Sequence, residues 1–204
     1  MRRRLFARRM RKCGRRREAA IASDTPGEPT LRTLLREGTR AAHDRLDEAM
    51  NACDLRTGEG YGRFLTIQYQ ARSGIDAWFT ARQDTALAAP PPSTQLLACD
   101  LRSLGWNDHP PVPAFAAPAE CDARAVAWVL SGSSLGNRSI LSGLRGRDLP
   151  TSFLEDQGLF SYWRDLLPHL SAAAPDPSVS LASAQAVFAH FLAIAGDSIQ
   201  RKAA

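Results

Sequence analysis

Leu35-Arg36-Glu37-Gly38-Thr39-Arg40-Ala41-Ala42-His43-Asp44-Arg45-Leu46-Asp47 reads as one face of a helix that carries a histidine. Residues three and four apart share a helical face, so Arg36, Thr39, His43, Leu46 and Asp47 fall in one band. His43 then has a carboxylate one turn after it and a guanidinium two turns before it. Such a face suits axial ligation of a metal. A neutral imidazole binds through one nitrogen while a carboxylate holds the other N–H and fixes the tautomer. A cation on the same face pairs with an anionic edge of the same ligand. A solvated helix surface on which a histidine happens to sit is the commoner origin of such a stretch taken alone.

Outward from this stretch the chain reads as helix after helix. Thr30 is the expected N-cap, and Leu31, Leu34, Leu35, Ala42, Leu46 and Ala49 predict one helix ending before Gly58-Glu59-Gly60. A second runs from about Tyr61 to Gln83, with Phe64, Ile67, Gln68, Ala71, Ile75, Trp78 and Phe79 in a wide stripe. Ala89-Pro90-Pro91-Pro92 breaks the chain, and Ser93 starts a third helix reaching Leu104-Gly105. Residues 106–118 are too rich in proline for regular structure, so His109 is expected in a loop. A helix begins near Glu120 or Asp122 and runs through Val126, Leu130 and Ile140; a short segment starts at Thr151 or Ser152. Further helices hold Tyr162 to Leu170 and, after Pro175-Asp176-Pro177, Val179 to Ile199. No stretch alternates as a strand would. The expected class is all-α, a single-domain bundle of six to eight helices over residues 30–204.

The charge is unevenly placed. Residues 1–18 hold ten of the 26 basic side chains and one of the 21 acids, which leaves residues 19–204 at −4. The sequence pI near 9.4 therefore belongs to the tail, and no nucleic-acid-binding domain is inferred from it. The tail lacks the apolar core of a secretory signal, and residues 1–29 are expected to be a disordered basic extension and linker. Nothing approaches about 18 consecutive apolar residues, so no membrane span is expected. Cys13, Cys53, Cys99 and Cys121 lie far apart, which suggests neither a zinc site nor a disulfide framework, and points to the cytoplasm. His169 is expected at the surface and His190 in apolar packing.

A second informative stretch is Gly132-Ser133-Ser134-Leu135-Gly136 within a predicted helix. Glycine costs about 1 kcal/mol against alanine in a helix interior, so two at this spacing call for a reason. Either a neighbouring helix comes close, or a flat ligand lies against the backbone where a Cβ would clash.

Together the two stretches resemble a family. Leu35-Arg36-Glu37-Gly38-Thr39-x-x-x-His43-x-x-x-Asp47 resembles the proximal helix of heme oxygenases. Val129-Leu130-Ser131-Gly132-Ser133-Ser134-Leu135-Gly136 resembles the distal helix of their bacterial, biliverdin-producing branch. The likeness extends to Asp100-Leu101-x-x-Leu104-Gly105 and to Ala184-x-Ala186-Val187-Phe188-x-x-Phe191. It implies the all-helical heme oxygenase fold, with heme between the first helix and the glycine-bearing one. It implies cleavage of heme, with O2 and reducing equivalents, to biliverdin, CO and iron. His43 would ligate the iron, Asp47 would hold its other nitrogen, and Arg36, Thr39 and Arg164 would lie at the cofactor, the arginines on its propionates. Gly132, Ser133, Gly136 and Asn137 would form the distal wall, with Ser133 near its water network. A ferredoxin or flavoprotein reductase would supply electrons, and a phytochrome is one acceptor for the bilin. The chain departs from the family in having Asp47 for Glu, Asn137 for Gly, Ser131 for Glu and Trp128 for Tyr. These departures keep a second possibility open, a heme-binding or heme-sensing protein on the same fold that does not cleave the ring.

Overall fold

Caps and breakers set where each helix begins and ends in the computed structural model, which describes residues 29–82, 87–107 and 111–203. Thr30 accepts a hydrogen bond from the Thr33 N–H and opens α1 (Leu31–Gly38). The spacing predicted one continuous helix here, but the structure divides it at Thr39 before α2 (Arg40–Met50). Thr39 Oγ1 donates to the Leu35 carbonyl at 2.7 Å, beside the bond from its own N–H. A hydroxyl returning to the carbonyl four residues back bends a helix, and Gly38 offers little resistance.

Thr57 caps α3 (Gly58–Ala81) by accepting from the Gly60 N–H, three residues earlier than the glycines suggested. Gly60 itself is required, since a Cβ there would collide with the Asp54 carbonyl. The helix α4 (Thr94–Ser103) closes with Gly105 at φ +79° and the Trp106 N–H on the Leu101 carbonyl, a glycine-terminated C-cap. Asp122 caps α5 (Ala123–Gly143). After the short α6 (Ser152–Glu155), α7 (Gly158–Leu166) tightens into a 3-10 turn over Leu167–Leu170, where Pro168 interrupts the ladder. Asp176 accepts from the N–H groups of Ser178 and Val179 and, with Pro177 as first residue, opens α8 (Pro177–Ala203).

Among the described residues there is no strand, and the protein is all-α as its sequence suggests. The core gathers around α3 and α8. Helices α1, α2, α3 and α5 pack on α8, α4 lies along α3, and α7 covers α5. Residues Pro177–Ser198 are long and apolar enough to cross a membrane by length and composition, with hydropathy 1.6. In this fold that stretch is the surface on which four other helices lie. The expected N-terminal extension lies outside the described residues except for Pro29, and so does His109.

Asp100, fully buried, explains the Asp100-Leu101 motif. Its carboxylate accepts from the N–H groups of Ser152 at 3.1 Å and Phe153 at 2.9 Å, holding the start of α6 against α4. Removing it strands the buried Phe153 N–H and the part-buried Ser152 N–H. Asp100→Ala should destabilise the protein by about 1–3 kcal/mol in urea unfolding, and Asp100→Asn by less.

Candidate functional site

His43 stands on the open side of α2 with its side chain 60% exposed. Its Nδ1 is 3.3 Å from Asp47 Oδ2, one turn later, and its ring meets Phe188 of α8 edge-on at 6.0 Å between centroids. Hydrogen bonding to Asp47 raises its pKa above 6.5, burial opposes the rise, and the charges of Asp47 and Asp44 add to it. Its Nε2 has no hydrogen-bond partner among the described residues. A lone imidazole does not make a metal site, and among the described residues no group of three or more His, Cys, Asp or Glu can hold an ion. A metal at His43 would have to bring its own equatorial ligands, as a macrocycle does.

The rest of the expected band is broken up by the bend at Thr39. Thr39 is buried, at 2% exposure, with its hydroxyl turned to its own helix. Arg36 lies across the bend on α1, exposed, 3.8 Å from Glu37. Arg164 is exposed on α7.

On α5 the two glycines have different surroundings. A Cβ at Gly132 would stand 3.3 Å from the Trp163 ring, so this glycine serves the contact with α7. A Cβ at Gly136 would meet nothing within 4 Å, so that backbone is open. Ser131 and Ser134 are buried and donate to the carbonyls of Ala127 and Ser131. Ser133 donates to the Leu130 carbonyl and accepts from Arg72 of α3 at 2.6 Å. Asn137, 9% exposed, has no hydrogen bond among the described residues. Trp128, beside Trp163, buries an indole N–H that has no acceptor among the described residues.

Sequence reasoning passed over Arg72. It is 2% exposed in the middle of α3, and its position beside Ala71 in an apolar stripe, four residues after Gln68, was the available signal. Helices α2 and α5 both pack on α8 and barely touch each other, so His43 and Gly136 belong to two walls joined through α8. His190 is half-buried against Phe115, with a pKa lowered by burial, as a packing histidine should be; His169 is exposed. Cys53 is buried, Cys121 half-buried and Cys99 exposed.

No family model matches the chain, and no curated protein or solved structure matches it either.

The raised pKa of His43 has a direction in pH. Its contact with Asp47 contributes stability fully below pH 6.5, and that contribution fades as pH rises through the higher folded value. Both side chains are more than a third exposed, so the contribution is small. An NMR titration of the ring should give a midpoint above 6.5 in the native protein, and one nearer 6.5 in Asp47→Asn.

Proposed function

We propose that this chain binds heme between α2 and α5 and, on the fold of the heme oxygenases, cleaves it to biliverdin, CO and iron. The observation that carries the reading is His43: exposed, held at Nδ1 by Asp47, and with Nε2 left to bind. Four pyrrole nitrogens would supply the ligands that the protein does not.

Each residue has a role that follows from its surroundings. Asp47 keeps the Nδ1 proton, so that the neutral ring offers its Nε2 lone pair and donates more strongly than a free imidazole. Phe188 limits rotation of the ring from below. Gly136 leaves the α5 backbone bare on its open side, where a flat ligand can approach, and Gly132 seats α5 on Trp163. Ser131, Ser133 and Ser134 spend their hydroxyl protons on their own helix, so the α5 wall offers no strong acid or base side chain. Arg36 and Arg164, both exposed, are candidates to pair with propionates. Thr39 contributes through the bend that separates Arg36 from His43. Heme, when bound, supplies the iron that activates O2 and the ring that is opened; the protein supplies orientation and exclusion of competing chemistry. Electrons would come from a ferredoxin or flavoprotein reductase in the cytoplasm, and a phytochrome is a fitting acceptor for the product.

A non-catalytic heme-binding protein is the second reading, and Asn137 favours it. The family commonly has glycine there, whereas this chain places an amide on the same helix as Gly136.

Purified protein with one equivalent of hemin should form a Soret band that decays into a bilin band when a ferredoxin–reductase pair and O2 are added. A band that forms and persists selects the second reading, and no band refutes both. Asp47→Ala should weaken heme affinity or turnover by about 10–100-fold. His43→Ala should abolish the histidine-ligated spectrum.

A further inference from the structure

Arg72 is charged and buried, and among the described residues no carboxylate is within ion-pairing distance of it, although the charges of Asp76 and Asp156 act on it from farther off. Its Nε donates to Gln68 at 3.0 Å and its Nη2 to Ser133 at 2.6 Å, while Phe153 covers one face of the guanidinium at 5.1 Å. A guanidinium has five N–H donors in one plane, so three are left without an acceptor among the described residues. The nearest carboxylates are committed elsewhere: Asp76 accepts from Thr94 Oγ1 at 2.9 Å, and Asp156 from the Gly158 N–H at 3.0 Å. Neither lies within ion-pairing reach of Arg72. Burial pushes its pKa down to about 10, which leaves it cationic at neutral pH. Asp76 and Asp156 offset part of the cost of burying this cation, and an anion in direct contact with its spare donors would offset more.

One turn beyond Ser133, on the same face of α5, stands Asn137, nine-tenths buried and with no partner among the described residues for either end of its amide. We propose that Arg72, Ser133 and Asn137 form an internal carboxylate site between α3 and α5. The planar fork of Arg72 presents paired donors to a carboxylate, and the Asn137 amide supplies a further N–H. Ser133 orients the guanidinium, because its own proton is held by the Leu130 carbonyl and only its lone pairs face Arg72. The site would tie α3 to the glycine-bearing helix through its ligand. It stands independently of the heme reading.

Carbon-13 formate is the probe, added to the full chain in chloride-free buffer and followed by its NMR line width. A ligand of three heavy atoms reaches half-saturation on the order of 1 mM at best. Saturable broadening is expected for the native protein, lost in Arg72→Gln and weakened at least threefold in Asn137→Ala. Circular dichroism checks that each variant folds; if Arg72→Gln does not, Asn137→Ala decides. Absence of saturable broadening in the native protein overturns the proposal, and so does unchanged affinity in Asn137→Ala. Hemin and its dimethyl ester then identify the source of the carboxylate. Displacement of formate by hemin alone assigns the site to the propionate of the macrocycle, and any other pattern assigns it to a free carboxylate. Failure of hemin to bind would defeat the heme reading and leave the formate result standing.

Discussion

Helix α8 must bury one broad apolar face along its length, and the helices laid against it are arranged by that requirement. Ala184, Val187, Phe191, Ile194 and Ala195 are all buried along one broad face, while Ala182, Gln185, Ala189 and Ala193 on the other side are exposed. Helix α5 is pinned to it by polar contacts at its start: Ser180 donates to Asp122 at 2.6 Å and Ser183 accepts from the Asp122 N–H at 2.9 Å. Helix α2 reaches it further along, where His43 meets Phe188. With both fixed on α8, α2 and α5 have no need to pack on each other. The exposed histidine and the open glycine backbone follow from this separation.

The polar groups inside the bundle fall into two kinds. Asp100 is fully satisfied and fixes α6 in place, a structural role that accounts for its burial. Among the described residues Arg72 and Asn137 are buried with donors to spare, and Trp128 buries an N–H with no acceptor. Unsatisfied groups of this kind lower stability; Trp128 and Asn137 lie on α5, while Gln70, Ser93 and His190 leave further buried atoms unpaired on α3, ahead of α4 and on α8. A helix that keeps such groups close to an open glycine backbone has a composition suited to a ligand more than to packing.

Much of the fold was legible because its signals are local. Thr30, Asp122 and the Pro175-Asp176-Pro177 turn mark helix starts through side chains that reach their own backbone, and the period of apolar residues names the buried faces. The bend at Thr39 was not legible, since a threonine hydroxyl can point to solvent or return to the carbonyl before it. Gly58-Glu59-Gly60 read as a breaker because the Thr57 cap and the close Asp54 carbonyl lie outside the pattern of those residues. Of the site, the pairing of His43 with Asp47 was visible from their spacing alone. The different duties of Gly132 and Gly136 were not, because they depend on where Trp163 comes to rest. Arg72 was hidden for the same reason: an arginine in an apolar helix acquires its meaning from Ser133, sixty-one residues away.

Resonance Raman spectroscopy of the ferrous heme complex tests the central claim most directly, because it reads the bond between iron and the proximal imidazole. An iron–histidine stretching band is predicted in the native protein, absent in His43→Ala and restored in that variant by added imidazole. The same band persisting in His43→Ala without imidazole would place the ligand elsewhere and contradict the account.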